Sequence, residues 1–157
     1  MFPEPHFVDT NGMRMAVYEQ GRGPAVVFLH GFPELAFSWR HQLPALADAG
    51  FRAIAPDQRG YGRTTVPPNI SDYRVSELIA DVHGLLDALN LESATFVGHD
   101  WGALLLWQMA TLAPGRIDKL IILNIPHFPR SPVEPIGMIR ELLGDDHYIV
   151  NFQDSDE

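Results

Sequence analysis

Gly98-His99-Asp100-Trp101-Gly102 is the stretch on which the reading of this chain turns. It follows the short apolar run Thr95-Phe96-Val97 and opens a helical stretch from Trp101 to Ala113 that Pro114 stops. Small residues two before and two after a central side chain let the backbone turn sharply from strand to helix, with that side chain displayed at the apex. An acidic centre in that place meets the free N–H groups and the positive dipole end of the following helix. A carboxylate held there is able to attack carbon directly. The same residues also fit Asp100 as a simple helix N-cap. The pentapeptide alone is short for a chain with 13 glycines, and its seat between a strand and a helix is what gives it weight. No Ser stands between glycines at this spacing, which disfavours a serine nucleophile.

Outward from this turn, the chain alternates strands and helices. His6–Asp9 and Met13–Glu19 flank Asn11-Gly12, a pair suited to a tight hairpin turn. Ala25–Leu29 is an unbroken apolar run, as expected of a strand covered on both faces. A helix is predicted from Trp39 to Asp48, with Ser38 as cap, Pro44 as an irregularity and Gly50 as stop. Phe51–Ala55 reads as a strand, followed by a loop from Pro56 to Pro68. Val75, Leu78, Ile79, Val82, Leu85, Leu86 and Leu89 repeat at i, i+3, i+4 and i+7 and give the clearest helix. Leu120–Leu123 reads as a further buried strand. The pattern predicts an α/β fold with a mostly parallel, doubly wound sheet. After Ile125 the prolines 126, 129, 132 and 135 recur every three residues and predict extended chain, followed by helical character over Ile136–Phe152 and an acidic end. Residues 1–125 are read as core, and 126–157 as a linker with a second element.

Two more segments bear on chemistry. His30-Gly31-Phe32-Pro33-Glu34 follows the strand Ala25–Leu29. A loop there is placed to donate one backbone N–H to an oxyanion, with the residue after the nucleophile donating another. That assigns the amides of Phe32 and Trp101, with Pro33 stiffening the loop; an ordinary strand-to-helix turn is the alternative. Asp57-Gln58-Arg59-Gly60-Tyr61-Gly62-Arg63-Thr64 lies where α/β sheets bind ligands. It also reads as a structural loop held by an Asp57–Arg59 pair. Trp39 and Trp101 are candidates to line an apolar pocket, and Trp107 reads as core.

Composition bounds the remaining classes. The 157 residues carry a formal charge of −9 and are 46% hydrophobic and 20% charged, the balance of a folded domain. With no cysteine there is no disulfide framework, thiolate metal site or cysteine nucleophile. No basic stretch favours nucleic acid or anionic membrane. Neither a secretion signal at Met1-Phe2-Pro3-Glu4-Pro5-His6 nor a membrane-spanning run is read, so a cytoplasmic setting is expected, and Asn69-Ile70-Ser71 is read as unmodified. Neither a metal nor a cofactor is called for.

Taken in order, the oxyanion-loop, Asp57–Arg63 and Gly98–Ala103 segments resemble the soluble epoxide hydrolases of the α/β-hydrolase superfamily, over nearly the whole chain. The resemblance implies an α/β-hydrolase sheet, incomplete on its C-terminal side, with the start of a lid after residue 126. It implies Asp100 as the nucleophile that opens a small apolar epoxide through an ester, later hydrolysed by water to a diol. Phe32 and Trp101 then supply the oxyanion-hole amides, and His30, Gly31, Pro33, Gly98, His99 and Gly102 support them. In that family a His base, a second acid and two lid tyrosines complete the reaction. All of these are expected beyond Glu157, so the isolated chain is expected to be inactive. Its partner is then the missing C-terminal half or a second copy, against the apolar edge at Leu120–Leu123. Haloalkane dehalogenases share an Asp followed by Trp but usually have Asn after the His-Gly, and fluoroacetate dehalogenases usually have Arg in place of Trp101. A noncatalytic association module is the reading from outside the enzymes.

Overall fold

A computed structural model describes residues 2–127 and 134–154. By compactness the chain divides into two units, Met1–Pro126 and His127–Glu157.

The first unit is built on a six-stranded sheet of β1 (His6–Thr10), β2 (Met13–Gln20), β3 (Ala25–Leu29), β4 (Arg52–Pro56), β5 (Ala94–His99) and β6 (Ile117–Leu123). Their spatial order is β1-β2-β4-β3-β5-β6. Asn11 and Gly12 both take positive φ, 45° and 73°, which is what a two-residue hairpin demands, and they set Thr10 opposite Met13. β2 runs antiparallel to β4, and β4, β3, β5 and β6 run parallel. Strand periodicity divides the core between the two faces. Val27, Leu29, Ile54 and Phe96 face α2 (Val75–Ala88) and α3 (Trp101–Leu112). Val26, Phe28, Ala53 and Ala55 face the 3-10 turn Ala36–Trp39 and α1 (Gln42–Asp48). Helices on both faces make the sheet doubly wound, as its alternating sequence predicts.

The differences from the sequence reading have local causes. The helix foreseen from Trp39 to Asp48 is split between the 3-10 turn and α1, and Ser38 lies within the turn and caps nothing. A continuous helix would need a donor at Pro44 toward residue 40, which proline lacks; restarting at Gln42 puts Pro44 in a first turn, where no donor is required. β6 is longer than foreseen and half-buried: Leu120 and Ile122 pack on the core, whereas Ile121 and Leu123 are 47% and 40% exposed. Its outer edge has no partner strand among the described residues.

In the second unit, the helical stretch read over Ile136–Phe152 is two helices, α4 (Pro135–Leu143) and α5 (Tyr148–Asp154). Gly144 separates them at φ 88°, a left-handed conformation that ends a helix. Glu134 caps α4 by accepting from the N–H groups of Ile136 and Gly137 at 2.8 and 2.6 Å. Pro129, Pro132 and residues 155–157 lie outside the described residues. Among the described residues, no helix is long and apolar enough to cross a membrane, and no group of three or more His, Asp or Glu is placed to hold a metal ion.

Candidate active site

β5 ends at His99 and α3 begins at Trp101, so the whole change of direction falls on Asp100, at φ 52° and ψ −119°. Non-glycine residues rarely adopt positive φ, and here the surroundings hold it. A Cβ at Gly102 would collide with the carbonyl oxygens of Leu29 and His30, and one at Gly98 would meet the Gly102 backbone at 2.8 Å. The two glycines let α3 start in contact with the ends of β3 and β5. Leu104 N–H donates to the Asp100 carbonyl at 3.0 Å, the first rung of α3, so the Trp101 N–H precedes the helical ladder.

The His30–Glu34 loop meets this turn directly. Phe32 N–H donates to Asp100 Oδ1 at 2.9 Å. Gly31 makes that approach possible, because a Cβ there would run into the Asp100 side chain. The loop is tied by Glu34 N–H donating to the Gly31 carbonyl at 3.0 Å, and the Phe32–Pro33 peptide is cis. Glu34 Oε2 accepts from Gly31 N–H at 3.3 Å and lies 3.1 Å from His99 Nδ1, joining the loop to the residue before Asp100.

His30 is fully buried beneath the loop. Its Nε2 accepts from Gln58 N–H at 3.0 Å, so the ring proton sits on Nδ1, which donates to the Gly31 carbonyl at 2.9 Å. Gln58 Nε2 donates in turn to the His30 carbonyl. Both ring nitrogens are engaged, which suits orienting the loop and leaves no lone pair to activate water. Burial pushes the His30 pKa below its ordinary value, against the raising effect of the Gly31 bond and of Asp57 and Glu34. His83 is lowered likewise, by burial and by Arg116. With both folded values depressed, the unfolded chain takes up protons first as pH falls past 6.5. Stability is therefore expected to be full above that pH and to decline below it. Urea midpoints measured between about pH 7.5 and 5.5 check this, and ring-nitrogen NMR at about pH 7.5 is expected to show the His30 ring proton on Nδ1.

The Asp57 loop departs from its sequence reading. Asp57 does not pair with Arg59. Its buried carboxylate accepts from Ala36 N–H at 3.0 Å and Arg63 N–H at 3.1 Å, with the Tyr18 hydroxyl 3.4 Å away. Arg59 turns instead to Asp81 on α2, through Nε at 2.7 Å and Nη2. A cleft of about 290 Å³ opens beside the turn, walled by Tyr61, Tyr73, Val75, Leu78, Trp101 and Leu104 among others. Burial, then the charge of Asp100, pushes the Tyr61 phenol up. Trp101 is 52% exposed at this cleft. Trp39 is not there: it packs at a 45° tilt on Phe28, centroids 5.0 Å apart, in the core on the α1 face. Its neighbours in sequence belong to the 3-10 turn that covers that face, which is why it cannot reach the pocket.

The arrangement is matched by a family model described as the alpha/beta hydrolase fold, over residues 24–157. This chain belongs to the α/β-hydrolase fold family. It is 47% identical to epoxide hydrolase A of Mycobacterium tuberculosis over 155 residues, covering 97% of this chain and 48% of that protein. It is also 47% identical to epoxide hydrolase 2 of Siraitia grosvenorii over 148 residues, 94% of this chain and 47% of that one. The crystal structure of an epoxide hydrolase from Vigna radiata superposes with a TM-score of 0.92 at 46% identity, over 98% of this chain and 48% of its own. The chain thus spans about half the length of the relatives it matches.

In this α/β-hydrolase fold chain the sequence reading missed Asn124, whose side-chain oxygen accepts from Asp100 N–H at 3.0 Å. The available signal was an Asn directly after the apolar run of a parallel strand, at the strand end where such sheets build sites. It missed Gln58 as the clamp on His30. The indole of Trp107, read as core, is half-buried and donates to the Ile125 carbonyl at 3.1 Å.

Proposed function

We propose that this chain carries the nucleophilic half of an epoxide hydrolase. The observation that carries the reading is the Phe32 N–H donated to Asp100 Oδ1 at the apex of the strand-to-helix turn. The bond divides the labour of the carboxylate. Oδ2 attacks an epoxide carbon, the carbon–oxygen bond of the ring breaks, and the ring oxygen takes a proton to become a hydroxyl. Oδ1 remains as the carbonyl oxygen of the ester. When water adds to that carbonyl, the charge develops on Oδ1, already facing Phe32 N–H, with the Trp101 N–H as the second donor. One such donor is worth about a hundred- to a thousandfold in rate. Collapse of the adduct releases the diol and restores the carboxylate.

The apolar walls of the cleft suit an epoxide bearing a hydrocarbon substituent. Water activation falls to a base other than His30, whose lone pair is committed to Gln58. By the resemblance, that base, its acid partner and the lid tyrosines belong to the half of the relatives this chain does not match, and residues 126–157 read as linker and first lid element. The names of the relatives support the epoxide reading over a dehalogenase. The test joins this chain to the C-terminal half of the Mycobacterium tuberculosis relative. The fusion is expected to turn epoxides into diols over many cycles. A folded fusion that makes no diol, or that releases halide from haloalkanes instead, overturns the reading.

A further inference from the structure

We propose that Asn124 is the positioning residue of the nucleophile, holding Asp100 through its backbone rather than touching substrate. β5 and β6 pair as far as His99 and Leu123, so Asp100 and Asn124 are the first residues past the ladder. The Asp100 N–H lies beyond the last ladder pair, and the Asn124 side-chain oxygen takes it at 3.0 Å. Asn124 is itself shaped for this. It sits at φ 60° in a tight turn in which Ile125 N–H donates to the Leu123 carbonyl at 2.9 Å. Among non-glycine residues, Asn is several-fold enriched at positive φ. The turn is pinned from the other side, since the Trp107 indole N–H donates to the Ile125 carbonyl at 3.1 Å. Asn124–Ile125 is therefore fixed to α3 at both Asp100 and Trp107, about two helical turns apart.

Asp100 is held at three points: its N–H by Asn124, its carbonyl by Leu104 N–H, and its carboxylate by Phe32 N–H. Removing the first frees the peptide between His99 and Asp100 to rotate. That rotation swings the carboxylate away from Phe32 and destroys the distinction between the attacking oxygen and the held one. The inference rests on Asp100 being the nucleophile, but its structural content is readable without any reaction.

Amide hydrogen exchange and NMR on the 157-residue chain test it. In the wild type the Asp100 amide is expected to exchange at least about tenfold more slowly than an open-chain amide. The Phe32 amide proton is expected to resonate downfield of an unbonded amide, displaced by its bond to the Asp100 carboxylate. Asn124→Gly keeps the left-handed backbone accessible and removes only the acceptor. It is expected to speed Asp100 exchange about tenfold or more, matching the loss of roughly one hydrogen bond, and to cut the downfield displacement of the Phe32 amide by at least about half. Asn124→Asp retains both the conformation and the acceptor and is expected to stay within about twofold of wild type. An unprotected Asp100 amide in the wild type overturns the proposal even if the Gly variant does not fold. So does a folded Gly variant with both readouts unchanged. Neither readout uses an epoxide, so a fusion that makes no diol counts against the reaction and leaves this result standing.

Discussion

Asp100→Ala in the fusion with a relative's C-terminal half is expected to lower diol formation by about a thousandfold or more. The size follows from position. The turn displays one side chain, and Asp100 is the one to which Phe32 donates at 2.9 Å. A neighbouring carboxylate cannot take over, because Glu34 is tied to Gly31 N–H and His99, and Asp57 is buried among the N–H groups of Ala36 and Arg63. Asp100→Asn sharpens the test. The amide keeps the shape and still accepts from Phe32, so folding and substrate binding are expected to persist, while the carboxylate charge needed for attack is gone. Intact-mass measurement on the fusion quenched in acid during turnover is expected to show one alkyl adduct on the wild type and none on either variant. A variant that keeps more than about a tenth of the rate, a loss of only ~1.4 kcal/mol, removes Asp100 from the nucleophile role.

How much of this could be read beforehand depends on whether a feature is local in sequence. The Asp100 turn, the Phe32 loop and the hairpin at Asn11-Gly12 are each written in about five consecutive residues, with backbone requirements that only certain side chains meet. The doubly wound sheet was legible for a similar reason, since runs such as Ala25–Leu29 alternate with the helical face of Val75–Leu89. Partners distant in sequence were not. Asn124 lies 24 residues from Asp100, and Gln58 lies 28 from His30. Their meeting depends on strand order, which brings the ends of β4, β3, β5 and β6 to one edge of the sheet. Trp39 was misplaced because an aromatic side chain near a site motif does not reveal which sheet face its backbone covers.

The Arg59 partner is the case with the largest consequence for stability. The sequence reading paired it with Asp57, two residues away, yet it reaches across 22 residues to Asp81, with the two side chains only 5% and 4% exposed. Asp81 also accepts from Asn11 Nδ2 at 2.8 Å, and its carbonyl accepts from the Thr10 hydroxyl at 3.3 Å. One buried carboxylate thus binds the hairpin, α2 and the Asp57 loop together. The pairing pushes the Arg59 guanidinium still further from losing its proton, so deleting the acid leaves a buried cation rather than a neutral group. Asp81→Ala is therefore expected to cost about 3–5 kcal/mol, far more than an exposed pair such as Arg63–Glu4. The double variant Arg59→Met/Asp81→Leu is expected to recover most of that loss, because it removes the unpaired charge along with its partner. Urea unfolding of the three chains measures both numbers. The loop carrying Arg59 also carries Gln58, which holds His30 beneath the His30–Glu34 loop, so loosening it reaches the site. In the fusion, Asp81→Ala is accordingly expected to slow alkylation of Asp100 even at temperatures where it remains folded. A single variant no less stable than the double one would mean that the carboxylate is not compensating a buried charge, and the pair would then contribute no more than an exposed one.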